Sequence, residues 1–222
     1  MIKYLILDMG RVLVEPASGD WLITNEFLKN VDMSKIDKTK LDEAIESSCY
    51  LLDGKAVNLD EEYKLIMDFY QTVFKKINYN IPETNLENIV NNFVYDKDDS
   101  KYYLYKNVEE DLKILSKKYT VLMLSDNWPC AFNYLKRYNI DKYFTKIYIS
   151  SVYGERKQDK VFFDYPIKEF NIKKNEALFI DDNESLLDIA VEKGLQVLHM
   201  DRNNVLKTSK YKIIHDFSDL IK

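Results

Sequence analysis

The sequence contains little cysteine and little histidine, and each shortage excludes a kind of site. Only two cysteines, Cys49 and Cys130, occur among 222 residues. They are too few for a disulfide scaffold, so we expect reduced thiols and a cytoplasmic protein. The two histidines, His199 and His215, offer little material for a three-histidine zinc site or a phosphohistidine. The chemistry must therefore be sought among other residue types.

Long hydrophobic runs are also missing. The longest wholly apolar stretches span only a few residues, as at Tyr4–Leu7, whereas a membrane span needs roughly 20. The first residues reach charged positions too soon for a signal peptide. With 46% hydrophobic and 31% charged residues, the composition is typical of a soluble globular protein. The length suffices for one core domain with a modest insertion.

An excess of positive charge is the third absence. The formal net charge is −5, and the Lys and Arg residues are scattered, so there is no basic stripe for nucleic acid to bind. An anionic substrate would meet mild overall repulsion, so a phosphate site must be built locally. We expect a small-molecule partner, with neither nucleic acid nor membrane. Monomer and homodimer both stay open.

What the chain does offer is an alternation of short apolar runs with amphipathic stretches of helical length. Most of the short runs are apolar on both sides, which is typical of parallel strands covered by helices. The pattern predicts an α/β fold, a Rossmann-like parallel sheet with helices on both faces. The predicted strands are Lys3–Asp8, Tyr119–Asp126, Lys146–Ser151, Ala177–Asp182 and Gln196–Met200. The predicted helices between them are Val108–Lys118, Trp128–Tyr138, Lys160–Phe170 and Glu184–Lys193. The last of these helices is followed by Gly194, a residue type that commonly ends helices.

One segment interrupts this alternation. From about Glu15 to Asp96 no strand is predicted, while helical periodicity recurs. We interpret residues 15–96 as a helical cap domain inserted into a core domain of residues 1–14 and 97–222. The alternative, that these helices simply cover one face of the sheet, is less favoured because the remaining sequence already supplies enough helices. The predicted helices are Trp21–Asn30, Lys40–Leu52, Asp60–Ile77 and Leu86–Val94.

Polar groups stand where the predicted strands end. Ligands of open α/β sheets bind at the carboxyl edge of the strands, so we expect these groups to converge. One Asp after a strand is usually a turn or capping residue, but four such strand ends together indicate a site. The groups are Asp8 after the first strand, Ser125 and Asp126 at the second, Lys157 after the third, and Asp181 and Asp182 at the fourth.

The residue types at these strand ends fit one reaction. Separated carboxylates can bind Mg²⁺, which prefers oxygen ligands and keeps waters that a phosphate can replace. A carboxylate can also attack phosphorus and form an acyl phosphate. A hydroxyl and an ammonium can neutralise the oxygens of the transferring group. The pattern therefore predicts phosphoryl transfer.

The same residues carry a family resemblance. The set Leu7-Asp8-Met9-Gly10-Arg11-Val12-Leu13, Leu124-Ser125-Asp126-Asn127, Lys157 and Phe179-Ile180-Asp181-Asp182 resembles the four ordered motifs of the haloacid dehalogenase-like (HAD) superfamily. The helical insertion after the first motif is similar to the C1-type cap of its subfamily I. The Asp181-Asp182 doublet is similar to the branch that includes small sugar-phosphate phosphatases.

The resemblance implies a role for each motif residue. Asp8 would be the nucleophile and a metal ligand, with the carbonyl of Gly10 and the carboxylate of Asp182 as further ligands to Mg²⁺. Asp181 would bind the metal through water or orient its neighbour. Lys157 would bind the phosphoryl group and steady Asp8. The remaining phosphate contacts would come from the Ser125 hydroxyl and from backbone amides around Met9, Gly10 and Arg11 and at Asp126.

Three positions depart from the family pattern. Most of its phosphatases carry a second Asp two residues after the nucleophile as general acid and base, a role usually contributing ~10²–10⁴-fold in rate, and here Gly10 cannot supply it. Leu186 stands where Asn or Asp is usual, which leaves less support around the fourth motif. Gln158 follows Lys157 in place of the common proline.

Several other polar and aromatic residues are expected to have structural rather than catalytic roles. We expect Arg11 to face solvent along the cap linker rather than to reach a substrate oxyanion, and His199 to be a packed surface histidine. Cys130 and Cys49 should be inert, since no basic neighbour is evident near either. Trp21, Asn25 and Trp128 are expected to be packing residues. For Lys55 we weigh a position near the active site and one away from it equally.

Three functions follow in order of preference. The first is a Mg²⁺-dependent phosphatase of a small phosphorylated metabolite, possibly a sugar phosphate. The second is a catalytically weak or non-catalytic binding or regulatory protein, motivated by Gly10 and Leu186. The third is a 2-haloacid dehalogenase, which also lacks the second Asp but needs no metal, so the Asp181-Asp182 pair argues against it.

Overall fold

The computed structural model describes residues 1–95 and 99–221. Its central element is a six-stranded sheet in the order β5-β4-β1-β6-β7-β8, and each pair of neighbours is parallel. Two further short strands, β2 and β3, pair with each other. The strands are β1 (Tyr4–Leu7), β2 (Val14–Pro16), β3 (Tyr102–Leu104), β4 (Thr120–Ser125), β5 (Lys146–Ile149), β6 (Ala177–Asp181), β7 (Gln196–Met200) and β8 (Ile213–Ile214).

The middle strands are buried on both faces, as their unbroken apolar sequences require. Ile6 of β1 and Leu122 of β4 belong to an apolar core that also includes the helical residues Phe162 and Leu187. The alternate residue Leu7 points to the opposite face and is equally buried. Helices therefore cover both faces of the sheet, and the predicted Rossmann-like α/β fold is confirmed.

Each of the eight predicted helices corresponds to a described helix, with some ends displaced, and two short helices, α7 and α10, were not predicted. The described helices are α1 (Asn25–Asn30), α2 (Lys38–Glu46), α3 (Leu59–Lys76), α4 (Glu83–Tyr95), α5 (Val108–Lys118), α6 (Cys130–Arg137), α7 (Ser150–Tyr153), α8 (Asp164–Glu169), α9 (Glu184–Glu192) and α10 (Ser218–Ile221). Gly194 follows α9 with φ of 85°, the left-handed conformation expected of a glycine that ends a helix.

Several predicted boundaries are wrong for identifiable reasons. Thr24 accepts a hydrogen bond from the Phe27 amide and so begins α1 later than Trp21. The stretch predicted as one helix from Lys40 continues past Glu46 only as a separate 3₁₀ turn. The first residues after Glu15 are not strand-free, because β2 extends through Pro16. The sixth strand, β8, has only two residues, too few for a periodicity to reveal it.

The chain divides into two compact units. The core unit comprises residues 1–15, 104–127 and 131–222, and contains the six-stranded sheet. The helical unit comprises residues 16–103 and 128–130, and its own apolar core is built from α1 to α4 around Phe27, Tyr70 and Phe93. The predicted boundary between residues 96 and 97 lies outside the described residues. That the helical unit acts as a cap stays a prediction.

The helical unit contains a buried polar cluster that contradicts one expectation. The Lys101 ammonium, only 2% exposed, donates to the Phe93 carbonyl at 2.8 Å and lies 3.4 Å from the Cys130 sulfur. Glu62 accepts the Cys130 amide at 2.8 Å. Cys130 therefore does have a basic neighbour. Burial nevertheless raises the pKa of its thiol, so the expected lack of reactivity still follows.

The aromatic and amide residues of this unit do pack, as expected. Trp21 meets Tyr102 edge to face with ring centroids 5.5 Å apart, and Trp128 meets Phe93 at 5.8 Å. Asn25 donates to the Ser100 carbonyl at 3.1 Å.

No helix among the described residues combines the length and the hydrophobicity that crossing a bilayer would need.

Candidate active site

A tight loop follows β1 and places Asp8 at the carboxyl edge of the sheet. The Asp8 amide donates to the Ile180 carbonyl of the neighbouring strand at 3.0 Å. The Met9 carbonyl accepts the amides of Leu13 and Val14 at 2.9 and 3.1 Å, so the loop folds back on itself. Gly10 forms an isolated bridge with Val14. The backbone at Asp8 is thus held by hydrogen bonds on both sides of the residue.

The ammonium of Lys157 joins the first and fourth motifs. Lys157 opens a 3₁₀ turn after β5 and is 2% exposed. Its Nζ lies 2.9 Å from Asp8 Oδ1 and 2.6 Å from Asp181 Oδ2. The second oxygen of Asp181 accepts the Asn183 amide at 2.9 Å. Residues far apart in sequence, Asp8, Lys157 and Asp181, therefore form one buried ionic cluster.

The second motif lies on the adjacent strand. Ser125 is the last residue of β4 and is buried. The next residue, Asp126, uses Oδ1 to accept the backbone amide of Lys157 at 3.0 Å. This bond, which the sequence alone did not indicate, ties the second motif to the third. It supports the backbone from which the Lys157 side chain extends.

Three carboxylates meet at this edge with the geometry of a cation site. One oxygen each from Asp8, Asp181 and Asp182 lies within 4.8 Å of the others. Asp8 and Asp181 are buried and Asp182 is half-buried. Hard oxygen donors in this number suit a divalent cation such as Mg²⁺. The Lys157 ammonium and the half-exposed Arg11 guanidinium do not balance three carboxylates, so the donor set fits an added positive charge.

The pKa values of these groups reflect burial and crowding. Burial raises the pKa of Asp181, and Asp8 and Asp182 add to the rise while Lys157 opposes it. Burial, followed by repulsion from Asp8, raises the pKa of Asp182 as well. For Lys157 burial favours the neutral amine, but Asp181, Asp8 and Asp126 outweigh it and raise its pKa. Lys157 is therefore a permanent cation.

Arg11 does not simply face solvent, contrary to expectation. Its Nη1 lies 3.6 Å from Asp182 Oδ2 and its Nε 3.9 Å from Glu15 Oε1, although 48% of the side chain is exposed. The residue has φ of 50°, a left-handed conformation uncommon for arginine. Its amide donates to the Val14 carbonyl at 2.7 Å. That amide, one of the predicted phosphate donors, is thus already used within the loop.

Two supporting residues were missed or misread from the sequence. Arg202 donates through Nε and Nη2 to the Val12 carbonyl at 3.0 and 2.8 Å, which holds the loop after Asp8. His199, expected at the surface, is only 3% exposed and contacts the fourth motif. Its place at a strand end beside that motif was the signal available in the sequence. Leu186, as expected, contributes no polar group.

Beside Asp182 the core unit contains a cavity of about 330 Å³. Arg11 and Asp182 form one side of it, and the loop of residues 200–206 contributes much of the rest. Glu15 and Tyr105, which hydrogen-bond each other, also line it. Both positive and negative groups face this space, so it suits a polar ligand of small net charge.

Acidification should stabilise the metal-free protein. The pKa values of Asp126, Asp181 and Asp182 are raised in the folded state. At a pH above the ordinary pKa of a carboxyl group, these residues therefore bind more protons in the folded protein than in the unfolded chain. The free energy of unfolding should therefore rise from about pH 7 to about pH 5. Carboxyls of lowered pKa, such as Asp188, reverse the trend only at lower pH.

Thermal melts in EDTA across this range measure the effect. Asp182→Asn should weaken the pH dependence, because one of the carboxyl groups with a raised pKa is then absent. Saturating Mg²⁺ should remove the gain on acidification, since the cation and protons compete for the same oxygens. A melting temperature in EDTA that falls steadily from pH 7 to 5 would contradict the cluster's electrostatics.

Comparisons with known proteins identify the family of the chain. The family described as haloacid dehalogenase-like hydrolase matches residues 5–200. A D-ribitol-5-phosphate phosphatase from Bacteroides thetaiotaomicron is 30% identical over an alignment of 89 residues, and the match covers 37% of this chain and 43% of that protein. The match thus spans less than half of the length of this curated relative.

Solved structures of similar fold cover the whole chain. The HAD-hydrolase YfnB of Bacillus subtilis, solved with magnesium bound, has a TM-score of 0.72 at 14% identity and covers 99% of this chain and 96% of its own. The L-2-haloacid dehalogenase of Xanthobacter autotrophicus has a TM-score of 0.70 at 11% identity, with 100% and 97% covered. At these identities the likeness concerns the fold.

Proposed function

Since the chain belongs to the haloacid dehalogenase-like hydrolases, we propose that it is a Mg²⁺-dependent phosphatase that cleaves a phosphomonoester of a small metabolite through an aspartyl phosphate on Asp8. The observation that carries the proposal is the buried cluster in which Lys157 contacts both Asp8 and Asp181 beside a third carboxylate, Asp182. One phosphoryl group could then be reached by the nucleophile Asp8, by the ammonium of Lys157 and by the carboxylates that would bind the metal.

The reaction would proceed in two displacements at phosphorus. A carboxylate oxygen of Asp8 attacks while the bond to the leaving-group oxygen breaks, and the alkoxide takes a proton from solvent. Water then attacks phosphorus, which releases inorganic phosphate and regenerates Asp8. The Ser125 hydroxyl and the Lys157 ammonium neutralise the non-bridging oxygens in both steps. Lys157 also holds the Asp8 carboxylate in place, with its Nζ 2.9 Å from Asp8 Oδ1.

The acidic groups would hold the metal. Asp8 and Asp182 are the proposed carboxylate ligands, and the Gly10 carbonyl is a third proposed ligand. Asp181 is better suited to orient this set, because its two oxygens already bind Lys157 and the Asn183 amide. A bound Mg²⁺ would offset the repulsion among the carboxylates and polarise the phosphoryl group.

The substrate class follows from two supporting observations. The partial relative acts on D-ribitol 5-phosphate, a phosphorylated polyol. The cavity beside Asp182 carries groups of both signs, including Arg11 and Glu15, which suits hydroxyl groups better than a second phosphate. We propose a phosphorylated sugar or polyol as substrate.

The missing general acid predicts a steep dependence on the leaving group. Gly10 cannot protonate the departing oxygen, and a positioned acid usually contributes ~10²–10⁴-fold. We expect kcat/KM for p-nitrophenyl phosphate to exceed that for a primary-alcohol phosphate by about 100-fold or more, because nitrophenolate leaves without protonation. Phosphate release from a panel of sugar, polyol and aryl phosphates, with and without Mg²⁺, measures it.

A matched variant tests the cause. Gly10 does not have a positive φ, so its backbone conformation is open to other residues. Gly10→Asp should raise the rate on alcohol phosphates more than on p-nitrophenyl phosphate. Equal rates for both substrates in the wild type would contradict the expected dependence, and release that is independent of Mg²⁺ would contradict the proposed metal.

A binding or regulatory role is the alternative that Gly10 motivates. It predicts that the protein binds inorganic phosphate and Mg²⁺ without turnover of any member of the panel. Halide release from 2-haloacids without metal would instead support dehalogenation. The same panel, extended by these two measurements, separates the three functions.

A further inference from the structure

The ring of His199 contacts the backbone of a proposed metal ligand. His199 lies on β7, directly opposite Asp181 in the parallel register with β6. Its Nε2 is 2.8 Å from the carbonyl oxygen of Asp182. A carbonyl oxygen can only accept a hydrogen bond, so Nε2 carries the hydrogen and donates it. The histidine itself is buried, being only 3% exposed.

The other side of the ring is held as well. His199 Nδ1 lies 2.7 Å from Ser209 Oγ, and the same oxygen lies 2.9 Å from Glu184 Oε2, so the serine hydroxyl connects the ring to Glu184. Glu184 is the first residue of α9, two residues after Asp182, and also accepts the Lys210 amide at 3.1 Å. The bonds therefore begin and end on the same short segment of chain, with the imidazole between.

The backbone of His199 gives the ring a rigid support. Its amide donates to the Lys212 carbonyl at 3.0 Å, and the residue pairs with β6 on one side and β8 on the other. The ring thus extends from the interior of a sheet rather than from a loop. Groups on rigid elements can hold a site more precisely than groups on loops.

Asp182 needs such support more than its neighbours. Asp181 is fixed by its own carboxylate, through Lys157 and the Asn183 amide. The carboxylate of Asp182 has the half-exposed Arg11 guanidinium at 3.6 Å, a contact that a bound cation would compete with. The direction of the Asp182 side chain then depends on its backbone, which the His199 bond holds.

We propose that His199 is a positioning residue that sets the Asp182 carboxylate for the divalent cation and provides the support that Leu186 does not give. The inference rests on the proposed function, because it assigns Asp182 to the metal. Outer groups that orient metal ligands typically change metal affinity by 10–100-fold when removed. A merely packed histidine would change stability and leave the metal affinity alone.

Direct Mg²⁺ binding to the whole protein, by calorimetry at constant pH, is the test. His199→Leu should weaken Mg²⁺ affinity about tenfold and raise the Mg²⁺ concentration needed for half-maximal phosphatase activity equally. His199→Gln, whose amide can still donate to the carbonyl, should recover most of the loss. Ser209→Ala should give a smaller loss, because only the outer bond is removed.

His215 provides the matched control. Its Nδ1 also contacts a backbone carbonyl, that of Asp201, at 2.7 Å, so His215→Leu removes the same kind of bond elsewhere and should leave Mg²⁺ affinity unchanged. If both His199→Leu and Ser209→Ala bind Mg²⁺ with the affinity of the wild type, the inference about His199 is overturned, while the proposed function stands. If His199→Leu does not fold, the Ser209→Ala result decides. No Mg²⁺ binding by the wild type would overturn the proposed function and this inference together.

Discussion

The Asp8→Asn variant is expected to release phosphate about 10⁴-fold more slowly than the wild type, or not measurably, since losing a covalent nucleophile typically costs this much or more. The neutral amide is a poor nucleophile and forms no acyl phosphate. It also removes one of the three carboxylate oxygens that lie within 4.8 Å of one another, so Mg²⁺ should bind more weakly. Steady-state phosphate release and calorimetry measure the two effects.

The same variant should remain folded. Asparagine keeps the volume of Asp8 and an oxygen to face Lys157, while one of the mutually repelling carboxylates disappears. In EDTA its melting temperature should therefore equal or exceed that of the wild type. Asp42→Asn, at an exposed position of α2, is the control and should behave as wild type. Appreciable release by Asp8→Asn would remove Asp8 from the chemistry.

The Lys157→Met variant should lose both activity and stability. Without the ammonium, the transferring phosphoryl group loses its buried cation, which should reduce kcat by about 10²–10³-fold. The carboxylates of Asp8 and Asp181, now 2.9 and 2.6 Å from Nζ, would be left buried without compensation. Breaking a buried ion pair at one partner typically costs 3–5 kcal/mol, so the free energy of unfolding at pH 7 should fall by about 3 kcal/mol.

Urea unfolding in EDTA measures this loss, and its pH dependence identifies its cause. The deficit should shrink toward pH 5, because protonation of Asp181, whose pKa is raised by burial, removes a charge that the lysine had balanced. Lys160→Met is the matched control. That lysine, three residues along, pairs with Glu192 at the surface and is 55% exposed, so its loss should cost less than about 1 kcal/mol. Equal costs at both lysines would show that Lys157 has no special electrostatic role.

The fold and the strand-end groups could be predicted because both depend on local patterns. Apolar runs such as Tyr4–Leu7 can be read directly as buried strands. Parallel strands bring their carboxyl ends to one edge, so the nearness of Asp8, Ser125 and Asp181 follows from the fold class alone. Lys157 was placed in the same way, although it belongs to a 3₁₀ turn after a strand.

The supporting contacts could not be predicted, because they join residues that are distant in sequence and depend on side-chain direction. Arg11 was expected in solvent, yet it reaches Asp182. Lys101 was not recognised as a neighbour of Cys130, which is 29 positions away. His199 was expected at the surface, since the sequence does not reveal the short strand β8, which pairs with β7 on its far side and helps to bury it.

The central claim, a covalent phosphoryl intermediate on Asp8, is tested most directly by acid-quenched mass spectrometry during turnover in Mg²⁺. The prediction is a transient peptide that contains Asp8 and carries the mass of one phosphoryl group, which hydroxylamine removes and which neither Asp8→Asn nor EDTA-treated protein forms. Phosphate release with no such adduct at any quench time, or an adduct on a peptide that lacks Asp8, would contradict the account.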